Sequence, residues 1–134
     1  MRVLVDTSVW SLALRRKSVS TQKEAIRLRQ LIDEEHQLFL TGIILLEILQ
    51  SIKEAQQVGK IRGYLDFFPL LELDRAGYEN AAKLSSDCRK KGIQCSTVDA
   101  LIAQTAIEHN CYLLTADKDF EFMARHCQLK LANV

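Results

Sequence analysis

The sequence contains few of the residues that interrupt regular structure. It has one proline, Pro69, and five glycines among 134 residues, and we find no internal repeat, low-complexity tract or linker. These absences argue against a disordered chain and against a string of small domains. Hydrophobic residues make up 48% of the chain and charged residues 26%, which is the balance of a globular protein. We therefore expect residues 1–134 to form a single domain.

The sequence also lacks any recognisable metal-binding cysteine or histidine pattern. Its cysteines form no CxxC pair, and its three histidines do not stand at zinc-ligand spacing from them. Scattered thiols, together with an amino-terminal segment that already reaches an acid at position 6, are typical of the reducing cytoplasm. The most apolar run, GIILLEILQSI, is too short to cross a bilayer and contains a glutamate. We expect a cytoplasmic protein without membrane contact.

The sequence also has no large excess of positive or negative charge. The formal net charge is +1, so the chain as a whole has no strong attraction to nucleic acid or membranes. A local basic cluster can still bind RNA on a chain that is nearly neutral. Two clusters are present, Arg15-Arg16-Lys17 and Arg89-Lys90-Lys91. Both clusters stand at the carboxyl ends of predicted helices, where basic residues complement the helix dipole. We favour this structural role for the second cluster and weigh it evenly against RNA binding for the first.

Hydrophobic patterning predicts strands that alternate with helices. Strands are predicted at 2–5, 37–41, 68–73, 111–115 and 129–134. Helices are predicted after Asp6, from a capping box at Thr21 and Glu24, over 43–55, around Gly59 and Gly63, from Asp74 toward Gly92, over 97–110 and over 118–126. This alternation favours a parallel sheet covered on both faces. Ligands of such sheets bind outside the carboxyl ends of the strands.

Four acids fall at that edge of the predicted sheet. Asp6 follows the first strand and Asp117 follows the fourth, while Glu47 and Asp99 lie in the first turns of helices. Each acid has an ordinary explanation by itself. Asp6, Asp99 and Asp117 suit helix starts, and Glu47 suits a solvated helix face.

Taken together, the four acids predict a metal site. No lysine or arginine stands among the local motifs to balance Asp6, Glu47 and Asp99. Carboxylates that are brought together repel, and their pKa values rise unless a cation lies between them. Mg²⁺ and Mn²⁺ prefer oxygen ligands of this kind. Such sites serve phosphodiester cleavage, because the ion activates water and neutralises the charge that develops on phosphorus.

The motifs VLVDTSVW, the helix glutamate, STVDALIAQTA and LLTADKDF together resemble the PIN-domain ribonucleases. In length and motif order the chain resembles the VapC toxins of toxin–antitoxin pairs. The resemblance implies a three-layer α/β/α sandwich around a central parallel sheet of about five strands. It also implies a Mg²⁺- or Mn²⁺-dependent endoribonuclease that cleaves RNA with metal-activated water, forms a homodimer and is inhibited by a small antitoxin protein.

Residue by residue, the resemblance assigns the metal ligands and their neighbours. Asp6, Asp99 and Asp117 match metal-binding carboxylates, and Glu47 matches the helix acid of the catalytic set. Supporting roles fall to Ser8, Thr115 and Asp119. We expect 3′-hydroxyl and 5′-phosphate ends, with weak RNA binding by Arg15, Arg16 and Lys17.

Three other functions remain open at this point. A haloacid-dehalogenase-type phosphatase would need a second aspartate where Ser8 stands. A receiver-like signalling module would need an acidic pair after the first strand and a phospho-accepting aspartate after the third. The chain has one acid at the first place, and Glu72 lies inside the third strand. A catalytically silent PIN-type interaction domain would keep the fold without cleaving RNA.

Overall fold

The structure is a computed structural model that describes residues 1–14 and 22–132. Within these residues the chain forms four strands and seven helices. The strands are β1 (Arg2–Val5), β2 (Gln37–Thr41), β3 (Leu70–Leu71) and β4 (Tyr112–Leu114). The helices are α1 (Thr7–Ala13), α2 (Lys23–Asp33), α3 (Gly42–Gln50), α4 (Ala55–Leu65), α5 (Arg75–Lys90), α6 (Thr97–Glu108) and α7 (Lys118–Ala124). None of these helices is long and apolar enough to cross a membrane.

The strands form one parallel sheet in the order β3-β2-β1-β4. The chain moves outward from β1 through β2 to β3, and it then crosses back to place β4 on the other side of β1. The strand order therefore reverses between β1 and β4. A crevice forms at the carboxyl edge where such a reversal occurs, and open α/β sheets bind their ligands there.

The sheet is covered on both faces, as the alternation of elements predicts. Consecutive residues of β1, Val3, Leu4 and Val5, are all fully buried, although their side chains point to opposite faces. Helix α1 packs against α2 and α3, and α5 packs against α6. Trp10 on α1 is fully buried, and its ring N–H donates to the carbonyl of Val5 at 3.1 Å. The predicted α/β sandwich is confirmed.

The strand count is lower than the sequence predicts. In the described part of the chain, the predicted fifth strand at 129–134 forms one parallel bridge, between Leu131 and Leu113. Its hydrogen bonds run from Leu113 N–H to the carbonyl of Lys130 and from Ala132 N–H to the carbonyl of Leu113, each 2.8 Å. The predicted strand at 68–73 is reduced to Leu70–Leu71. Within the described residues the sheet therefore has four strands rather than about five.

The helix predicted over 43–55 is wrong in its carboxyl-terminal part. Helix α3 ends at Gln50, and Ser51 Oγ donates to the carbonyl of Ile48 at 2.7 Å. Local bonds of this kind compete with helix continuation. Glu54 lies at the N-cap of α4 and so belongs to a different helix from Glu47.

Several predicted helix ends are confirmed. The Asp74 side chain accepts a hydrogen bond from Gly77 N–H at the start of α5. Ser96 and Asp99 form a complete capping box at the start of α6. Gly92, just beyond α5, has a φ of 73°, which a residue with a side chain rarely adopts. Thr21, the first residue of the capping box predicted before α2, lies outside the described residues.

Candidate active site

Asp6 lies at the carboxyl end of β1, where its backbone N–H donates to the carbonyl of Leu114 in β4 at 2.9 Å. It occupies the N-cap position of α1, but its side chain makes no capping hydrogen bond. Its Oδ2 atom instead accepts hydrogen bonds from Ser8 Oγ at 2.7 Å and from Thr115 Oγ1 at 2.9 Å. The residue is buried, with 6% of its surface exposed. A capping role alone does not explain a carboxylate held in this way.

The hydroxyls of Ser8 and Thr115 join the turn after β1 to the turn after β4. Ser8 Oγ accepts from Ala116 N–H, and Thr115 Oγ1 accepts from Asp117 N–H, each at 3.0 Å. Each hydroxyl has one proton, and each donates that proton to Asp6. The 3.4 Å approach between the two hydroxyl oxygens is therefore a contact rather than a further hydrogen bond. The network fixes Asp6 relative to the segment that carries Asp117.

Burial raises the pKa of the Asp6 carboxyl above its usual range. The hydroxyl hydrogen bonds from Ser8 and Thr115 lower this pKa, and so do the nearby amides of Ser8 and Thr7, but burial has the largest effect. The sequence predicts raised pKa values among these acids and attributes them to repulsion between carboxylates. At Asp6 the larger cause is the loss of water around the charged form. A cation bound beside Asp6 would favour that charged form.

Glu47 is connected to the turn after β1 through Thr7, a residue that is not among the predicted site residues. Thr7 Oγ1 donates to Glu47 Oε1 at 2.7 Å, and both residues are half-buried. Thr7 directly follows Asp6, so this bond brings the second turn of α3 to the first turn of α1. The solvated face proposed for Glu47 would also contain Glu54 of the same helix. That interpretation is weakened, because Glu54 lies outside α3. The only signal for Thr7 in the sequence is a hydroxyl residue next to the first acid.

Asp117 and Asp119 lie together at the start of α7. Asp117 is the N-cap, and its Oδ1 atom accepts from Asp119 N–H at 2.9 Å. Burial raises the pKa of the Asp119 carboxyl, and the charges of Asp117 and Asp99 raise that pKa further. Asp99, on α6, is thus close enough to this turn to act on it electrostatically. Both Asp117 and Asp119 are half-buried.

Asp99 is held by its own helix start. Its Oδ2 atom accepts from Ser96 N–H at 3.1 Å, and its N–H donates to Ser96 Oγ at 3.0 Å. Within the described residues it makes no hydrogen bond to another predicted site residue. Direct hydrogen bonds therefore connect Asp6 with Ser8 and Thr115, whereas the described residues relate Asp99 to the group through its charge, which acts on Asp119. The predicted RNA-binding residues lie outside the described residues: Arg15, Arg16 and Lys17.

The donor atoms of the predicted acids suit a hard divalent cation. Glu47, Asp99 and Asp117 each have one carboxylate oxygen in a hydrogen bond and a second oxygen that makes none with the described residues. Oxygen donors of this type are what Mg²⁺ and Mn²⁺ bind. Among the described residues, no three histidine, cysteine or acidic side chains are arranged to hold a metal ion. The chemistry of these donor atoms fits the ion, and the predicted metal site rests on that chemistry.

A family model for the PIN domain matches residues 3–125. The chain belongs to the PIN domain family. It is also 28% identical over 134 residues to ribonuclease VapC11 of Mycobacterium tuberculosis, with 98% of each chain covered.

Solved structures share the fold over the whole chain. VapBC2 of Rickettsia felis, bound to a DNA fragment from its promoter, has a TM-score of 0.78 at 21% identity, covering 100% of this chain and 99% of that one. VapBC-1 of nontypeable Haemophilus influenzae has a TM-score of 0.75 at 19% identity, covering 99% of this chain and 98% of that one. At these identities the likeness establishes the fold of this PIN domain, while its chemistry has to be argued from its own residues.

Proposed function

We propose that this PIN domain is a metal-dependent endoribonuclease and the toxin of a toxin–antitoxin pair. The observation that carries the proposal is the hydroxyl network at the carboxyl edge of β1 and β4. Ser8 and Thr115 hold a buried Asp6, and Thr7, the residue after Asp6, donates a hydrogen bond to Glu47. Helix capping explains Asp99 and Asp117, but it does not explain this arrangement. The 28% identity to ribonuclease VapC11 supports the same function.

In the proposed reaction, Asp6, Asp99 and Asp117 would hold Mg²⁺ or Mn²⁺, and Glu47 would complete the acidic site by adding its negative charge. An ion of this kind supplies Lewis-acid stabilisation of the phosphodiester and activates water. Ser8 and Thr115 fix the orientation of Asp6 and favour its ionised form by donating hydrogen bonds to it. Asp119, next to Asp117, is an auxiliary acid. The products are 3′-hydroxyl and 5′-phosphate ends.

The RNA substrate requires positive charge near this acidic edge. We assign a weak RNA-binding role to Arg15, Arg16 and Lys17, which follow α1 in the chain. Contacts of these side chains with the phosphate backbone would position the strand without reading its sequence. The proposed cellular compartment is the cytoplasm, where RNA and a reducing environment occur together.

We also propose a small antitoxin protein as the partner. An open acidic site that cleaves RNA would damage its own cell unless it were blocked. An arginine of the partner can pair bidentately with the carboxylates and take the electrostatic place of the cation. The similar solved structures are VapBC complexes, which supports the existence of such a partner.

A groove between α1, α3 and α4 is the proposed docking site for the rest of that partner. It is lined by apolar side chains that include Leu14, Ile48, Ile52 and Ile61. An amphipathic helix or an extended segment binds grooves of this type. Phe67, in the turn after α4, is 81% exposed and offers a further apolar side chain to a partner.

The proposed assembly of the chain alone is a homodimer. Leu46 and Tyr78 are 55% and 56% exposed, and Ile43 and Tyr78 line one cleft between α3 and α5. Leu46 lies one turn beyond Ile43 on α3, so these three residues form an apolar face. A face of this kind can be covered by the same face of a second copy.

One observation favours a second candidate, a catalytically silent PIN domain that acts only by binding. Among the described residues, no group of three histidine, cysteine or acidic side chains is arranged to hold a metal ion. A silent domain would bind the antitoxin and leave RNA intact.

Expression in a host cell separates the two candidates. RNA ends are mapped after induction of the native chain and of Asp6→Asn. The proposed function predicts new 5′-phosphate ends that appear with the native chain and not with the variant. Equal patterns for the two proteins would favour the silent domain.

A further inference from the structure

We propose that Thr7 is a positioning residue, which holds the Glu47 carboxylate at a fixed place beside Asp6. The inference rests on the proposed metal-dependent function and extends it to a residue without an assigned role. Thr7 does not have to touch RNA or metal for this purpose. It acts through Glu47.

The contact that supports the inference is short and joins distant parts of the chain. Thr7 Oγ1 lies 2.7 Å from Glu47 Oε1, and 40 positions separate the two residues. A hydroxyl that donates to a carboxylate at 2.5–2.7 Å makes a charge-assisted hydrogen bond, which is among the stronger kinds. Within the described residues, this is the one hydrogen bond of the Glu47 side chain. The orientation of that carboxylate therefore depends on Thr7.

The geometry of the two side chains explains why a threonine suits this role. Glutamate has three rotatable side-chain bonds, and a half-exposed glutamate without a partner samples many conformers. Threonine is branched at Cβ and has few χ1 choices, so its hydroxyl is a rigid donor. Thr7 is bonded through its peptide to Asp6, and that neighbour is itself fixed by Ser8 and Thr115. The hydrogen bond thus ties the Glu47 carboxylate to the residue that follows Asp6.

The inference predicts that removing the hydroxyl weakens cation binding even when no RNA is present. Thr7→Val keeps the shape of the side chain and loses the donor, whereas Thr7→Ser keeps the donor. We expect Mn²⁺ binding, followed by electron paramagnetic resonance of the free ion, to weaken about tenfold in Thr7→Val. We expect Thr7→Ser to bind within about twofold of the native chain, because it retains the bond. Thr7→Ala replaces Thr7→Val if the valine variant does not fold.

A matched control separates this effect from the general cost of losing a threonine hydroxyl. Thr105 is buried in α6, and its hydroxyl donates to the carbonyl of Leu101 in the same helix. Thr105→Val should leave Mn²⁺ binding unchanged.

A double-mutant cycle tests whether Thr7 acts through Glu47. Adding Thr7→Val to Glu47→Gln should cost little further Mn²⁺ affinity, because the carboxylate to be oriented is already gone. Additive losses, or native Mn²⁺ affinity in Thr7→Val, would overturn the role of Thr7 while leaving the nuclease proposal intact. A native chain that neither binds Mn²⁺ nor cleaves RNA would overturn both.

Discussion

The Thr115 hydroxyl donates a 2.9 Å hydrogen bond to Asp6 Oδ2 across 109 positions of the chain. The bond joins the ends of β1 and β4 at the point where the strand order reverses. It is made to a buried carboxylate, whose charged form is costly in the absence of a cation. The site is therefore organised around Asp6.

Removing the hydroxyls should shift the pH dependence of RNA cleavage. In Thr115→Val and Ser8→Ala, the Asp6 carboxylate loses a hydrogen bond that lowers its pKa, so that pKa rises further. Less of the ionised form is then present at a given pH, and the acidic limb of the cleavage profile moves to higher pH. We expect rates about 10- to 100-fold lower near neutral pH. Ser51→Ala, which removes a hydroxyl bonded within α3, should retain the native profile.

Much of the fold can be predicted from the sequence because its signals are local. The buried strands, the Asp74 cap, the Ser96–Asp99 capping box and the turn at Gly92 each depend on a few adjacent residues. The break between α3 and α4 was missed because the run from Gly42 to Ala55 has continuous helical patterning. The short edge strand and the single bridge at Leu131 depend on how far neighbouring strands extend.

The four acids can be proposed as a site from the sequence because all of them follow or begin elements at one edge of a parallel sheet. Their partners cannot be found in the same way. The bond between Thr7 and Glu47 links residues 40 positions apart, and neither residue indicates the other by local spacing. The cause of the raised Asp6 pKa also needs the structure, because burial depends on the packing of the whole domain.

Asp6→Asn should stabilise the metal-free domain at neutral pH. The folded-state pKa of Asp6 is raised above its ordinary value. The stability that Asp6 contributes is therefore fully present below the unfolded-state pKa, and it is lost as the pH rises through the folded-state pKa. The neutral amide avoids this loss. We expect the free energy of unfolding to rise by about 0.5–2 kcal/mol at pH 7 with a chelator present. Denaturant unfolding of both proteins from pH 4 to pH 8 measures this increase in the free energy of unfolding. The increase should become smaller toward acidic pH. A gain that is equal at all pH values would contradict burial of the charge as its cause.

Gly77→Ala should destabilise the fold, although alanine favours helices. A Cβ atom at Gly77 would lie 2.9 Å from Glu108 Oε2, 2.9 Å from Leu73 Cδ2 and 3.0 Å from Leu73 Cβ. We expect a loss of about 1–3 kcal/mol in the free energy of unfolding. Gly59→Ala in α4 is the matched control, because nothing lies within 4 Å of its Cβ position. That variant should gain about 0.5–1 kcal/mol, and equal effects of the two changes would contradict close packing at Gly77.

A charge placed in the groove between α1, α3 and α4 should prevent antitoxin binding. Ile52→Asp and Ile61→Asp put a carboxylate on an apolar surface that the partner would bury. Co-expression with the adjacent small reading frame should yield a complex for the native chain and much less complex for these variants. Phe122→Asp, an exposed position on α7, serves as the control. Growth arrest that persists with the native pair, with no complex purified, would contradict the toxin assignment without contradicting the nuclease.

Cleavage of a defined RNA by the purified chain, with Mg²⁺ or with a chelator, tests the central claim most directly. The native chain should cleave only with the metal, and Asp6→Asn, Glu47→Gln, Asp99→Asn and Asp117→Asn should all be inactive while remaining folded. Asp117→Asn is the most informative of these variants, because asparagine caps a helix as well as aspartate does and leaves the start of α7 intact. Loss of cleavage in this variant is the predicted result. Native cleavage in Asp117→Asn or Asp99→Asn would reduce that residue to a helix cap and contradict a four-acid site.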